Sequence, residues 1–217
     1  MTLFKICGLR DVENALIARE CGASFIGFVF VPGVRRQIGV EHATKLIDEY
    51  RSRSGAGGPS LVGLFANQTL HNVNSVVKRC DLDFVQLCGD ELVECFNGID
   101  CQIIRQIKIP TDGDRKDIAD YTKNEINNLL AHDTIPLLDR LEKGHLGGTG
   151  KSFDWTITET LPDHWKYMVA GGLNQDNVGS VIKQVDPWAV DVSSGVEIDG
   201  WKDSGKIEAF AQAVNAN

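Results

Sequence analysis

Residues 167–197, YMVAGGLNQDNVGSVIKQVDPWAVDVSSGVE, contain two short apolar runs separated by a helical pattern. The runs are 167–170 and 189–192, and the helical pattern covers 174–184. A strand, a helix and a second strand in this order predict two parallel strands joined by a crossover helix. Because the carboxyl ends of parallel strands meet at one edge of a sheet, the loops AGGLN and VSSGVE should lie side by side.

The same alternation of strand and helix fills the rest of the chain. Strands are predicted at 3–7, 25–30, 61–65, 84–87, 102–107, 135–139, 167–170 and 189–192. Helices are predicted at 12–21, 41–52, 70–80, 91–96, 115–130, 155–160, 174–184 and 205–214. Eight such units predict an α/β protein with a single (β/α)8 barrel domain over residues 1–217. An open doubly wound sheet is the alternative.

Composition and charge restrict the possible functions. The chain has 217 residues, a net charge of -8 and a pI near 5.1, which argue against binding to nucleic acid or to an anionic membrane. No apolar run reaches the roughly 20 residues of a membrane span and no signal-peptide pattern is present, so we expect a cytoplasmic protein. The six cysteines form no C-x-x-C pair and the histidines show no metal-ligand spacing, so we expect reduced thiols and no metal.

In such a barrel the active site lies at the carboxyl ends of the strands. Three consecutive loops there are rich in glycine: GHLGGTG at 144–150, which contains Gly148, AGGLN with Gly171 and Gly172, and VSSGVE with Ser193 and Ser194. Glycine lets the backbone approach a ligand closely, and successive backbone N–H groups bind a phosphate without any cation. These loops therefore predict a phosphate site, although glycines that only form tight turns are the alternative.

The candidates at the strand ends are Cys7, Arg36 in the loop VPGVRRQI, Cys88 and Asp139, and Lys5 lies inside the first strand. Cys7 is either a reactive thiol or a packing residue, and Asp139 is either an acid or a hydrogen-bonding group at the barrel mouth. Arg36 is either a solvated charge or a clamp for a carboxylate. Lys5 shares the strand face of Cys7. Its ammonium group either lowers the pKa of the Cys7 thiol or pairs with a carboxylate inside the barrel. This set favours acid–base chemistry on a phosphorylated substrate that carries a carboxylate.

The motifs in this chain resemble those of phosphoribosylanthranilate isomerase. They are K-I-C-G-L, V-G-L-F-x-N, V-Q-L-x-G-D-E, P-L-L-D, G-G-T-G-x-x-F-D-W, A-G-G-L-x-x-x-N-V and V-D-V-S-S-G-V-E, in order from residue 5 to 197. The resemblance implies a TIM barrel that catalyses an Amadori rearrangement in tryptophan biosynthesis without cofactor or metal. It also implies that Cys7 is the general base, Asp139 the general acid and Arg36 the ligand of the anthranilate carboxylate. The expected partner is a small phosphorylated substrate, and the expected state is a monomer or homodimer.

The chain departs from the family pattern at two places. Cys88 stands in V-Q-L-C-G where the family usually has histidine, and the loop PGVRR lacks the serine of P-x-S-x-R. The second departure places Arg35 beside Arg36, and alternation along the loop predicts that Arg35 points to solvent.

Two other functions are compatible with the motifs. The related isomerase of the histidine pathway has similar phosphate loops, but it uses an aspartate where Cys7 stands. A phosphate-binding barrel without activity, acting as a regulatory subunit, is the other alternative. Cys7 argues against the first alternative, and the joint presence of Cys7, Arg36 and Asp139 argues against the second.

Overall fold

A computed structural model describes residues 1–141 and 152–217 of the chain. Within these residues, eight parallel strands form a closed barrel in the order β1 to β8. The strands are β1 Leu3–Cys7, β2 Phe25–Val29, β3 Ser60–Phe65, β4 Phe84–Leu87, β5 Gln102–Ile109, β6 Ile135–Arg140, β7 Met168–Val169 and β8 Ala189–Val192. The pairing of β1 with β8, Lys5 opposite Asp191, closes the barrel. The predicted (β/α)8 architecture is confirmed, and the open sheet is excluded.

The helices surround the barrel. They are α1 Val12–Glu20, α2 Val40–Ser54, α3 Leu70–Cys80, α4 Arg115–Leu130, α5 Val178–Val185 and α6 Ser204–Asn215. The segments predicted as helices at 91–96 and 155–160 are instead 3₁₀ helices, at Val93–Gly98 and Trp155–Thr160. Each has six residues, which is too short for a stable α-helix. No helix in the described part of the chain is long and apolar enough to cross a membrane.

The helix predicted from residue 174 begins later, with α5 at Val178. The reason is local, since Oδ1 of Asn174 accepts hydrogen bonds from the backbone N–H groups of Asp176 and Asn177 at 2.8 and 3.2 Å. These bonds form an Asx turn, which competes with the helix. The last helix, α6, begins at Ser204, one residue before the predicted range, because Asp203 caps it through a 2.9 Å bond from the Lys206 N–H.

A small hairpin between β8 and α6 is not predicted from the apolar pattern. Its strands are β9 Glu197–Ile198 and β10 Trp201–Lys202, paired antiparallel. The turn residues Asp199 and Gly200 have φ of 51° and 82°, as a two-residue hairpin turn of type I′ requires. The Asp-Gly dipeptide is the sequence signal for this turn. The hairpin matters because it carries two charged side chains into the barrel mouth.

Side chains inside the barrel form a cluster separate from the one between strands and helices. The inner cluster contains Cys7 and Cys88, whereas Phe4 and Ile6 of β1 pack in the outer cluster. Successive side chains of a strand point to opposite faces, so Lys5 also points inward. The predicted shared face of Lys5 and Cys7 is therefore confirmed.

Candidate active site

Cys7 lies at the last position of β1, at the carboxyl end of the barrel. Its side chain is buried in the inner cluster, and its backbone carbonyl accepts a 3.1 Å hydrogen bond from Oγ of Ser193. Gly8, which follows, has φ of +83°, a conformation that favours glycine. The strand therefore ends at the thiol, and the loop after β8 is tied to the same point.

Lys5 lies one level below Cys7 in a fully buried position. Its Nζ donates to Oδ1 of Asp191 at 3.0 Å and to Oε1 of Gln86 at 2.8 Å. Burial alone lowers the pKa of Lys5, but the charge of Asp191 and the proximity of Cys7 leave it raised overall. Lys5 is thus a charged group paired with a carboxylate inside the barrel, one of the two roles considered for it.

The predicted lowering of the Cys7 pKa is wrong as a net effect. Burial raises the pKa of the Cys7 thiol, and the nearby Lys5 ammonium opposes that rise without overcoming it. Desolvation disfavours a charged thiolate in the apolar barrel interior. Burial therefore favours the neutral thiol of Cys7 over the thiolate.

Cys88 is buried in the same inner cluster, at the end of β4. Its Sγ lies 3.3 Å from Nε2 of Gln86, the residue that also binds Lys5. Burial raises the pKa of Cys88 to about 12. The position that usually carries histidine in the family is thus occupied here by a neutral thiol.

Asp139 is the second-to-last residue of β6, and its side chain is almost fully buried. Its Oδ2 accepts from Nε2 of Gln106 at 2.7 Å, and its Oδ1 accepts from the Arg140 N–H at 2.8 Å. Burial raises the pKa of Asp139 to about 6, against the lowering effect of the bond from Arg140. A carboxyl group with this pKa can donate a proton near neutral pH.

Arg36 passes directly over the end of β1. A Cβ atom added at Gly8 would lie 2.7 Å from Cδ of Arg36 and 3.5 Å from Oγ of Ser193. Residue 8 must therefore be glycine both for its φ and for the room that Arg36 needs. The structure brings together the predicted base, the predicted carboxylate ligand and one predicted phosphate-loop residue.

Arg35 and Arg36 converge on one carboxylate, that of Glu197. Arg36 donates to Glu197 through Nε at 2.6 Å and Nη2 at 2.9 Å, and Arg35 donates through Nη2 at 2.7 Å. The Arg36 side chain is 11% exposed and that of Arg35 is 57% exposed. Arg35 is thus largely exposed, as predicted, but it turns towards the same partner as Arg36 rather than away from it.

Glu197 and Lys202 belong to the hairpin and were not among the predicted site residues. Nζ of Lys202 donates to Oε1 of Glu197 at 2.8 Å and to the Ser193 carbonyl at 2.8 Å. Burial raises the pKa of Glu197, but the bonds from Arg36 and Lys202 outweigh it and bring the pKa to about 2. The D-G turn and the final glutamate of V-S-S-G-V-E are the sequence signals that could have located this pair.

The loops after β7 and β8 pack against each other. Gly171 and Gly172 have φ of +89° and +67°. A Cβ at Gly195 would overlap the carbonyl oxygen of Leu173, so the close approach of the loops requires glycine there. Ser194 begins the short 3₁₀ helix Ser194–Val196 in the same loop. The predicted site residue Gly148 lies outside the described residues.

Comparison with known proteins identifies the family. A family model described as N-(5'phosphoribosyl)anthranilate (PRA) isomerase matches residues 4–213. A relative from Dehalococcoides mccartyi, named N-(5'-phosphoribosyl)anthranilate isomerase, is 39% identical over 210 residues, which are 97% of this chain and 94% of the relative.

Solved structures give the same result. A phosphoribosyl anthranilate isomerase in complex with reduced 1-(o-carboxyphenylamino)-1-deoxyribulose 5-phosphate is 31% identical with a TM-score of 0.81. Monomers of the dimeric phosphoribosylanthranilate isomerase from Thermotoga maritima are 30% identical with a TM-score of 0.80. Both comparisons cover 100% of this chain and 100% of the solved chain. The resemblance in the motifs is thus confirmed over the length of the barrel, and the chain belongs to the phosphoribosylanthranilate isomerase family.

Proposed function

We propose that this protein converts N-(5'-phosphoribosyl)anthranilate to 1-(2-carboxyphenylamino)-1-deoxyribulose 5-phosphate, with Asp139 as general acid and Cys7 as general base. The family assignment supports the reaction. The single observation that supports the role of Cys7 is the meeting of Arg36 and Ser193 over the Cys7–Gly8 backbone. This arrangement suits a substrate with a carboxylate at one end and a phosphate at the other.

The reaction needs two proton transfers by the protein. Asp139 gives its proton to the ribose ring oxygen, and the bond from that oxygen to C1′ breaks as the nitrogen lone pair forms a C=N bond. The Cys7 thiolate then removes the proton on C2′. The electron pair of the broken C2′–H bond forms a C1′=C2′ bond and neutralises the iminium, which gives an enolamine. The enolamine tautomerises to the ketone. A protonated Asp139 is accessible near neutral pH because its pKa is about 6.

The Cys7 thiolate must form at a buried position inside the barrel. Burial raises the pKa of Cys7, and the charges of Lys5 and Lys202 oppose that rise without overcoming it. A positively charged iminium next to the thiol would add to this stabilisation. We therefore assign the formation of the thiolate to the substrate complex.

A turnover assay tests the proposed function. Purified protein is mixed with N-(5'-phosphoribosyl)anthranilate, and loss of the substrate's fluorescence is followed. Loss of fluorescence at catalytic protein concentrations supports the proposal. A folded protein that binds a phosphorylated product analogue without turnover would instead indicate the inactive phosphate-binding barrel.

Arg36 is expected to recognise the substrate carboxylate, and Arg35 is not. Arg36→Met removes a nearly buried guanidinium from its partner, so we expect kcat/KM to fall by the equivalent of about 2–5 kcal/mol. Arg36→Lys should recover only part of this loss, since a point charge cannot reproduce the planar fork. Steady-state kinetics on both variants measure the effect.

Arg35→Met is the matched control for this prediction. Its side chain is 57% exposed and pairs with the same Glu197, so we expect a loss of about 1 kcal/mol or less. If Arg35→Met is the more damaging change, the carboxylate assignment moves to Arg35.

The phosphate is expected to bind mainly to backbone N–H groups of the loops after β7 and β8. Gly172→Val places a branched side chain at a φ of +67° in one of these loops, which distorts the backbone. We expect the affinity for a phosphorylated product analogue to fall about tenfold or more while the barrel stays folded. Calorimetric titration together with circular dichroism measures both effects.

Gly22→Val provides the control for backbone strain. Gly22 has a similar φ of +86° with open space around it, but it precedes β2 at the opposite end of the barrel. Equal loss of affinity in both variants would show that strain alone weakens binding, and unchanged affinity in Gly172→Val would place the phosphate elsewhere.

Three further features belong to the proposal. Residues 1–217 form one catalytic domain, the protein is cytoplasmic, and it acts as a monomer or homodimer on a small phosphorylated substrate. No cofactor takes part in the proposed chemistry, because both proton transfers are assigned to side chains of this chain.

A further inference from the structure

We propose that Glu197 is a positioning residue that fixes the guanidinium of Arg36 for recognition of the substrate carboxylate. The inference rests on the proposed function, since it concerns the same carboxylate. It assigns a role in that site to the hairpin between β8 and α6.

The contact between Glu197 and Arg36 fixes one edge of the guanidinium. Nε of Arg36 lies 2.6 Å from Oε1 and Nη2 lies 2.9 Å from Oε2, which is a bidentate fork. Within residues 1–141 and 152–217, Nη1 of Arg36 has no hydrogen-bond partner. The end formed by Nη1 and the second hydrogen of Nη2 therefore remains available for a ligand carboxylate.

Arg36 is held at two points along its side chain. Its Cδ passes over Gly8, where a Cβ would lie only 2.7 Å away. Glu197 then sets the plane of the guanidinium beyond that contact. Fixing a flexible arginine before binding reduces the conformational entropy lost when the ligand binds.

Glu197 is itself held firmly by the hairpin. Its carboxylate is 4% exposed and accepts four hydrogen bonds, two from Arg36, one from Arg35 and one from Lys202. Lys206 also donates to the Glu197 carbonyl at 3.0 Å. All lone pairs of the carboxylate are thereby used, so Glu197 cannot rotate without breaking several charged bonds.

The charges in this cluster distinguish a charge role of Glu197 from a positioning role, because the two roles change ligand affinity in opposite directions when Glu197 is neutralised. One carboxylate is surrounded by three cations, so the cluster carries excess positive charge beside an anion site. If Glu197 acted only through its charge, Glu197→Gln would make binding of an anionic ligand tighter. If Glu197 positions Arg36, the same change weakens binding of a carboxylate.

Two ligands separate recognition of the carboxylate from recognition of the remainder of the product analogue. They are reduced 1-(o-carboxyphenylamino)-1-deoxyribulose 5-phosphate and the same compound without the carboxylate. Calorimetry should show that Glu197→Gln weakens the first ligand about tenfold or more and changes the second by about twofold or less. Glu197→Asp keeps the charge on a shorter side chain and should lose part of the affinity for the first ligand, which supplies a second variant if Glu197→Gln does not fold.

A double-mutant cycle shows whether Glu197 acts through Arg36. Arg36→Met combined with Glu197→Gln should bind the carboxylated ligand no more weakly than Arg36→Met alone, because the second change has nothing left to position. Glu91→Gln is the matched control, since it breaks another partly buried pair, with Arg105 at 2.9 Å, and should leave the ratio of the two affinities unchanged.

Several results would overturn the inference. They are equal losses for both ligands in Glu197→Gln, tighter binding of both, or independent effects in the double variant. Absence of turnover and of carboxylated-ligand binding in the wild-type protein would overturn the proposed function together with this inference. Wild-type turnover with any of the first three results would overturn the inference alone.

Discussion

Cys7→Ala is expected to reduce kcat by about 10²–10⁴-fold, the usual contribution of a general base. The thiol stands at the last position of β1, with Arg36 passing over the next residue and Ser193 bonded to its carbonyl. Alanine fits the same space but cannot accept a proton from C2′. Single-turnover kinetics with N-(5'-phosphoribosyl)anthranilate measure the chemical step directly.

Other cysteines of the chain provide controls for this variant. Cys80 is buried like Cys7 but packs in the outer cluster with α3, and Cys21 is partly buried after α1. Cys21→Ala and Cys80→Ala should keep kcat within about twofold, because neither thiol lies inside the barrel. If Cys7→Ala retains more than about a tenth of the wild-type kcat, Cys7 is a packing residue and the proposed mechanism is wrong.

The fold was largely predictable because the apolar pattern is local. The bounds of β1, β4, β8, α3 and α4 match the predicted ranges to the residue. Each of these elements is a continuous apolar run or a clear helical repeat limited by polar residues or glycine. The 3₁₀ segments and the late start of α5 were not predicted, since they depend on short chain length and on side-chain bonds to the backbone.

The site was predictable only where it depends on strand ends. The position of Cys7 inside the barrel follows from strand parity, but the direction of its pKa shift does not, because burial opposes Lys5. The contact of Arg36 with Glu197 joins residues 161 positions apart. No local pattern predicts such a pair, and it becomes visible only when β2 and the hairpin are brought together in the barrel.

Asp139→Asn is expected to lower kcat by about 10²–10⁴-fold with KM little changed. Asparagine keeps the size of the side chain and can still accept a hydrogen bond, but it has no carboxyl proton for the ribose ring oxygen. An effect confined to kcat indicates an interaction that matters in the transition state. A variant that loses only affinity would assign Asp139 to substrate binding or to loop structure instead.

The pH dependence of the stability of Asp139→Asn separates catalysis from a structural role. The pKa of Asp139 is about 6 in the folded protein and about 3.9 in an unfolded chain. The raised pKa means that the folded state binds the proton more tightly, so the contribution of Asp139 to stability is complete below the unfolded pKa and is lost as pH rises through about 6. By linkage this loss is at most about 3 kcal/mol.

Asparagine has no charge to bury, so the free energy of unfolding of Asp139→Asn relative to wild type should increase between about pH 4 and pH 7, as denaturant titrations would measure. A variant that is less stable than wild type by the same amount at both pH values would show that the carboxyl group is a structural hydrogen-bonding group, and its loss of activity would then not be evidence for a general acid.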